Sequence, residues 1–301
     1  MVMNMLNFFI SKSIDYVPGN IMYPIAKRYI AGVTLKEAIN TVKGLNRKNI
    51  KATIDILGEH TEDKNSAIKA RDEYISILNR INEEKLDANI SLKPTHLGLN
   101  IDRTLAEKNI EMITKRSKEL GNFVRIDMEN TPYTDSTLDI YKNINTHFPE
   151  NIGVVLQTYL RRTIKDVIDL NVRNLNIRLC KGVYTEPREI AYKDNFIINR
   201  SYCCILEELF KKRAYVGIAT HDEKLVFEAE QLIRKYEYTT NMYEFQMLLG
   251  VDEELRKIIL QRGHLLRIYV PYGAEWLSYC RRRIKENPSI AKMSLKQLLS
   301  F

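Results

Sequence analysis

The sequence predicts an α/β protein of the (β/α)8 barrel type, with an N-terminal helical extension. Eight short apolar runs recur between residues 50 and 287, each is followed by a stretch of helical periodicity, and nearly all end in charged or hydrogen-bonding side chains. Strict alternation of strand and helix requires parallel strands with right-handed helical crossovers, and eight such units close into a barrel of about 250 residues. The C-terminal strand ends of that fold form its active face, so the layout points to an enzyme before any motif is read.

The runs are Ile50–Leu57, Ala88–Lys93, Phe123–Met128, Ile152–Gln157, Leu175–Cys180, Tyr215–Ala219, Asn241–Gln246 and Leu265–Val270. They are short and rich in β-branched or aromatic residues, as buried strands are. Between them apolar residues recur at spacings of three and four, as with Ala67, Tyr74, Ile77, Leu78 and Ile81, which predicts amphipathic helices. The domain division is then an extension over residues 1–45 and a barrel over 46–301. In the extension, Pro18-Gly19-Asn20 reads as a turn, and Thr34 with Glu37 three residues on reads as a capping box opening a helix. The polar residues at the strand ends are Glu59 and His60, Lys93, Asp127 and Glu129, Gln157, Lys181, Thr220 and His221, Glu244 and Gln246, then Tyr269.

At 301 residues the chain can bury a substantial core. Met1–Ile10 is apolar but lacks the basic start and the small-residue cleavage site of a signal peptide, and no membrane-spanning run follows. Cys180, Cys203, Cys204 and Cys280 show no CxxC spacing, which favours a reduced, cytoplasmic setting. The formal charge of +8 is spread over many helices with no aromatic-and-basic RNA motif, so no nucleic-acid partner is expected. Weak peripheral attraction to the anionic inner face of the cell membrane stays open. The histidines His60, His96, His147, His221 and His264 form no His-x-His or HExxH pair, and no metal is expected. No GxGxxG or Walker loop is present, so a nucleotide cofactor would have to sit on the barrel mouth.

The helix after the last strand carries Arg281, Arg282 and Arg283. At about 100° per residue, Tyr279, Arg282, Arg283 and Glu286 share one stripe, while Leu277, Cys280 and Ile284 take the opposite one. Arg281 sits nearer the apolar stripe. A solvated face with an Arg282–Glu286 pair is the plain reading. Flanking Trp276 and Tyr279, close to a strand's catalytic end, instead suit two guanidinium forks to a carboxylate or phosphate. Strand five runs into Arg178-Leu179-Cys180-Lys181-Gly182-Val183-Tyr184, and a buried strand arginine needs a carboxylate or ligand to answer it. Asp127 is the protein candidate. Lys93, before Pro94, reads as a Schiff-base nucleophile, a carboxylate anchor or a snorkelling surface lysine, and His221 as an acid, a base or a ligand contact.

Seven segments lie in one order on successive strands. They are Ser91-Leu92-Lys93-Pro94-Thr95, Val124-Arg125-Ile126-Asp127-Met128-Glu129, Val155-Leu156-Gln157-Thr158-Tyr159-Leu160, the strand-five run, Ala219-Thr220-His221-Asp222, Tyr243-Glu244-Phe245-Gln246-Met247-Leu248, and Arg267-Ile268-Tyr269-Val270-Pro271-Tyr272-Gly273. Together, over about Ile50 to Asn287, they resemble the flavin-dependent proline dehydrogenases in their short single-function bacterial form. The resemblance implies a barrel carrying non-covalent FAD that oxidises L-proline to Δ1-pyrroline-5-carboxylate by hydride transfer from C5 to flavin N5. It further implies a membrane quinone as electron acceptor and a pyrroline-carboxylate dehydrogenase as a partner.

By the same resemblance Lys93, Arg282 and Arg283 bind the proline carboxylate, and Asp127 and Arg178 are the catalytic pair. Met128, Gln157, Lys181, Gly182, Val183, Thr220 and His221 match cofactor-contacting positions. Tyr184, Leu248, Tyr269 and Tyr279 match residues that wall the proline ring or orient the arginines, and Glu286 belongs with the arginines beside the cofactor. The family usually has Val-Lys-Gly-Ala where this chain has Cys180-Lys181-Gly182-Val183, and Asn at Asp222; neither change removes a required group. Two other readings compete: a lysine Schiff-base barrel of the aldolase type using Lys181 or Lys93, and a non-catalytic sensor of proline or flavin.

Overall fold

A computed structural model describes residues 18–286. Glycine and proline open its first helix, α1 (Gly19–Ala26), where Pro18 accepts from the Met22 amide at 3.1 Å. The expected turn at Pro18-Gly19-Asn20 is therefore a helix entry, because the Pro18 carbonyl starts the ladder at once. Helix α2 (Leu35–Asn46) is opened by the expected capping box: Glu37 N–H donates to Thr34 Oγ1, and Thr34 N–H donates to the Glu37 carboxylate at 2.9 Å.

Eight parallel strands follow, β1 (Lys51–Ile56), β2 (Ala88–Leu92), β3 (Val124–Ile126), β4 (Ile152–Gln157), β5 (Asn176–Cys180), β6 (Tyr215–Ala219), β7 (Tyr243–Leu248) and β8 (Leu266–Tyr272). They close into a barrel in sequence order, with β8 pairing back on β1 from Lys51↔Arg267 to Ile56↔Tyr272. Their crossovers are α3 (Lys64–Glu83), α4 (Arg103–Glu119), α5 (Thr134–His147), α6 (Thr163–Asp169), α7 (Asn195–Lys211), α8 (Glu223–Lys235) and α9 (Glu253–Gln261). Helix α10 (Trp276–Glu286) follows β8. The predicted α3 stripe of Ala67, Tyr74, Ile77, Leu78 and Ile81 is buried against the barrel. Strand β3 is shorter than its apolar run, since the Asp127 amide makes the last rung to Leu92 O at 2.8 Å and the chain then turns onto the mouth.

Successive side chains of a strand point to opposite faces. The face toward the helices is apolar and buried throughout, including Ala52, Ile54, Ile90, Leu92, Val124, Ile126, Val154, Ile177, Leu179, Val216, Ile218, Phe245 and Ile268. The alternate positions fill the barrel interior with polar groups instead: Thr53 donates to Asn89 at 2.6 Å, and Arg125 donates to Asn176 O at 2.8 Å and to Val154 O at 3.2 Å. A Cβ on Gly153 would lie 2.3 Å from Arg125 Nη1, so that glycine is what admits the guanidinium.

Candidate active site

The polar interior opens at the C-terminal strand ends into a cavity of about 780 Å³. Its lining includes Asp55, Glu59, Lys93, Asp127, Met128, Gln157, Arg178, Lys181, Gly182, Val183, Tyr184, Thr220, His221, Gln246, Leu248, Tyr269, Tyr279, Arg282 and Arg283. The sequence-predicted site residues therefore meet in one place, apart from Glu286, whose side chain lies outside the described residues.

Two carboxylates organise the floor. Lys93 Nζ lies 2.8 and 2.9 Å from the two oxygens of Asp55 and 3.8 Å from Asp127 Oδ2. Burial opposes charge on both partners. For Lys93 the carboxylates of Asp55, Asp127 and Glu59 outweigh it and hold the ammonium above the ordinary lysine range. For Asp55 burial wins against the pull of Lys93 and pushes the carboxyl up to about 6, so above that pH the pair is ionic. A charged, doubly bonded Lys93 is a poor amine nucleophile, which counts against the Schiff-base reading. Asp127 Oδ1 accepts from Arg178 Nη1 at 2.7 Å and from Ser91 Oγ at 2.6 Å, while Oδ2 accepts from the Tyr269 hydroxyl at 2.7 Å. Asp127 does answer the buried arginine. Arg178 also donates from Nε to Gln246 Oε1 at 2.6 Å and lies 5.2 Å over the Tyr269 ring.

Strands four to six form a second wall. Gln157 donates from Nε2 to Met128 O at 3.0 Å, leaving its buried Oε1 without a protein partner. Gly182 has φ +105°, and a Cβ there would sit 2.1 Å from the Tyr159 ring, so the turn is closed to other residues. Lys181 pairs with Asp222 at 2.8 Å, and Asn199 Nδ2 donates to the same Asp222 oxygen at 2.9 Å. His221 Nε2 accepts from the Leu248 amide at 2.8 Å, which places the ring proton on Nδ1. Burial, helped by Arg256 and Arg283, lowers this imidazole to about 4 and keeps it neutral.

Helix α10 closes the cavity from above. Its apolar side, with Cys280 and the partly buried Leu277 and Trp276, packs on Met22 and Ala26 of α1. Tyr23 meets Trp276 edge-on at 5.2 Å. The opposite face carries Arg282 and Arg283 into the cavity, with Arg283 5.5 Å over Tyr279. Arg282 grips Glu59 with both terminal guanidinium nitrogens, Nη2 at 2.8 Å and Nη1 at 3.1 Å. Arg281 is not among the lining residues.

Asp55, Glu59 and Gln246 are among the lining residues that sequence reasoning left without a role. Asp55 lies inside an apolar run, where a buried carboxylate is itself a signal that a cation must face it. Glu59 meets Arg282 only because β8 closes on β1, and no local pattern reveals a pair 223 residues apart. Gln246 stood among the strand-end residues, yet its bond to Arg178 crosses the barrel from β7 to β5. Glu59, His60 and Glu129 also converge, with atoms able to ligate a metal within 4.8 Å of one another. Arg282 engages Glu59, and Thr95 donates to Glu129 from N and Oγ1 at 2.9 and 2.5 Å, so both carboxylates already have partners.

The family model described as proline dehydrogenase matches residues 38–295. The chain belongs to the proline dehydrogenase family. Among similar members, proline dehydrogenase 1 of Bacillus subtilis (strain 168) is 35% identical over 274 residues, covering 91% of this chain and 90% of that protein. The proline dehydrogenase of Deinococcus radiodurans is 31% identical over 282 residues, covering 92% and 91%. In fold, the chain matches a crystal structure of proline utilization A (PutA) from Bdellovibrio bacteriovorus inactivated by N-propargylglycine, with TM-score 0.82 and 23% identity over 87% of this chain. It spans 32% of that longer chain. Proline dehydrogenase membership gives the cavity's mixed lining a frame: a cluster of cations under α10 on one side, and the Asp127–Arg178 pair with the strand four-to-six wall on the other.

Proposed function

We propose that this chain is a flavin-dependent proline dehydrogenase that oxidises L-proline to Δ1-pyrroline-5-carboxylate, holds FAD without a covalent link and delivers electrons to a membrane quinone. The observation that carries the reading is the gathering of Lys93, Arg282 and Arg283 in one cavity with the Arg178–Asp127 pair, which suits a clamp for a carboxylate beside a polar bed for a cofactor. The bed suits an organic cofactor with a mixed polar edge. Gln157 Oε1 is a buried acceptor lacking a partner, His221 Nδ1–H is a donor, and Lys181 supplies a cation at a strand end. Bound there, FAD supplies the two-electron acceptor for the hydride that leaves C5 of proline.

The side chains themselves bind, orient and polarise. Three cations fix the substrate carboxylate and so the direction of the ring, which makes transfer effectively intramolecular. Tyr184, Leu248, Tyr269 and Tyr279 line the space beside them. Arg178 favours electron-rich surroundings across the bed, and Asp127 keeps it in place at 2.7 Å. Among the described residues no helix is long and apolar enough to cross a membrane.

The test is the visible absorption spectrum of the purified protein before and after anaerobic proline. Flavin bands that bleach on adding proline support the reading, and stopped-flow bleaching separates an enzyme from a sensor that binds without reduction. A colourless protein that is trapped by borohydride with a carbonyl substrate would overturn it in favour of the Schiff-base barrel.

A further inference from the structure

Arg178 is held from below as well as from the cavity side. Its Nε donates to Gln246 Oε1 at 2.6 Å, and all of Arg178, Gln246 and Glu244 are buried, at 6%, 6% and 2% exposure. A glutamine amide has nearly the same shape with its oxygen and nitrogen exchanged, so packing alone does not decide which end meets the arginine. If the nitrogen end faced Arg178, two donors would oppose each other. Glu244 decides it. Its Oε1 accepts from Gln246 Nε2 at 2.6 Å and from Arg267 Nε at 2.6 Å, and an ionised carboxylate offers only acceptors.

Burial works against charge on Glu244, but Arg267 outweighs it and holds the carboxyl below its ordinary range. Arg267 is itself anchored, donating from Nη1 to Ala52 O at 2.7 Å. Space for this arrangement comes from the neighbouring strand. Gly217 pairs in register with Glu244, and a Cβ on it would lie 2.5 Å from Gln246 Nε2. The result is an alternation of charge and dipole through the barrel, Arg267, Glu244, Gln246, Arg178, Asp127, in which each donor meets an acceptor.

We propose that Glu244 and Gln246 are positioning residues of the active site: Glu244 fixes the orientation of the Gln246 amide, and the amide oxygen fixes the Arg178 guanidinium against Asp127. Glu244 reaches the reaction only through other residues. The inference rests on the proline dehydrogenase reading, because it assigns the pair to the reaction that Arg178 serves. It also predicts which exchanges are tolerated. In Glu244→Gln/Gln246→Glu, the new glutamine donates from Nε2 to the new carboxylate, which in turn accepts from Arg178, while Arg267 gives up its Nε partner because native Glu244 accepts both bonds at one oxygen. Gln246→Glu alone sets two carboxylates against each other.

The experiment compares the native protein with Gln246→Met, Gln246→Glu and Glu244→Gln/Gln246→Glu, in steady-state turnover of proline, with thermal unfolding and the spectrum of the bound cofactor as second readouts. Gln246→Met keeps the Glu244–Arg267 pair and removes one charged hydrogen bond, so kcat should fall by about ten- to a hundred-fold. The proline KM should stay within about twofold, because the substitution leaves Lys93, Arg282 and Arg283 in place, Lys93 being held by both oxygens of Asp55, and KM reports binding where chemistry is slow. The double exchange should exceed Gln246→Glu in kcat by about tenfold or more. A native kcat in Gln246→Met, a KM that moves as far as kcat, or a double exchange no better than Gln246→Glu overturns the proposal. If Gln246→Met does not fold, the comparison of Gln246→Glu with the double exchange still decides. Absence of proline-dependent bleaching in the native protein would defeat the functional reading itself, and so is distinguishable from failure of the positioning pair.

Discussion

Glu129 offers a measurement in which a single buried group sets the slope of stability against pH. It is 1% exposed at the end of the third strand's turn onto the mouth, and its two oxygens accept from Thr95 Oγ1 and Thr95 N–H at 2.5 and 2.9 Å. Burial raises its pKa, and the Thr95 bonds only partly hold it down, so the carboxyl is pushed up to about 7 from an ordinary 4.5. A raised carboxyl means that the folded protein holds the proton more tightly than the unfolded chain. Its contribution is therefore full below about pH 4.5 and is lost as pH climbs to about 7. At about 1.4 kcal/mol per pKa unit, the whole loss is about 3 kcal/mol. For a chain of this length, with unfolding entropy of roughly 2 cal/mol/K per residue, that corresponds to about 5 °C in Tm. Glu129→Gln retains both contacts, since the amide oxygen accepts from Thr95 N–H and the amide nitrogen donates to Thr95 Oγ1. Thermal unfolding of native and variant protein from pH 5 to 8 should show the difference moving by about 4 °C in favour of the variant as pH rises, since the first part of the loss is complete by pH 5. A difference that stays constant across that range would refute the argument, because other titrating groups are common to both proteins.

Three further outcomes follow from the site. Arg282→Ala or Arg283→Ala should weaken proline by about 1.5–3 kcal/mol, or about ten- to a hundred-fold in KM, while Arg281→Ala changes it far less; steady-state kinetics showing Arg281 as the critical one would refute the assigned helix face. Turnover should rise with pH until the amine of proline is free to donate its lone pair, so a flat profile from about pH 6 to 9 would contradict C5 oxidation by this route. Gly182→Ala should destabilise the fold by about 1–3 kcal/mol, read as a lower Tm, because the left-handed backbone and the Tyr159 ring at 2.1 Å both exclude a side chain; an unchanged Tm would show that the turn can relax.

What the sequence revealed and what it concealed divide along the strands. Period and length located all eight strands because the outward face is buried and dominated by aliphatic side chains, as at Ile54, Ile126, Leu179 and Ile268, and the run lengths are those of buried strands. Ends such as Lys93, Arg178 and His221 were readable because barrel topology assigns them a common face. The pairings were not. Asp55 with Lys93, Glu59 with Arg282 and Gln246 with Arg178 each join strands or loops distant in sequence, and a carboxylate within an apolar run carries no local mark of which cation will meet it. Helical periodicity selected Arg282 and Arg283 over Arg281, but it offered an intrahelical partner for Arg282, whereas barrel closure supplies Glu59 from across the mouth. The entry to α1 was misread for a related reason: Pro18-Gly19-Asn20 has turn composition, and only the hydrogen bond from Met22 to Pro18 reveals a helix start.

The interior of this barrel departs from the usual filling of branched aliphatic side chains, and the departure bears on where stability and function reside. Arg125, Arg178, Glu244, Arg267, Asp55 and Lys93 are all buried or nearly so, yet burying an ion pair returns little net stability even when its geometry is good. The stabilisation must come from the outward faces and the helices they meet, where a Leu or Ile truncated to Ala costs about 2–5 kcal/mol. Gly153 and Gly217 support that view, since each gives up a side chain at an interior position where a Cβ would collide with Arg125 or Gln246. An interior selected for stability would fill those positions. Here they are left open so that guanidinium and amide groups can cross the barrel and set the charges at its mouth.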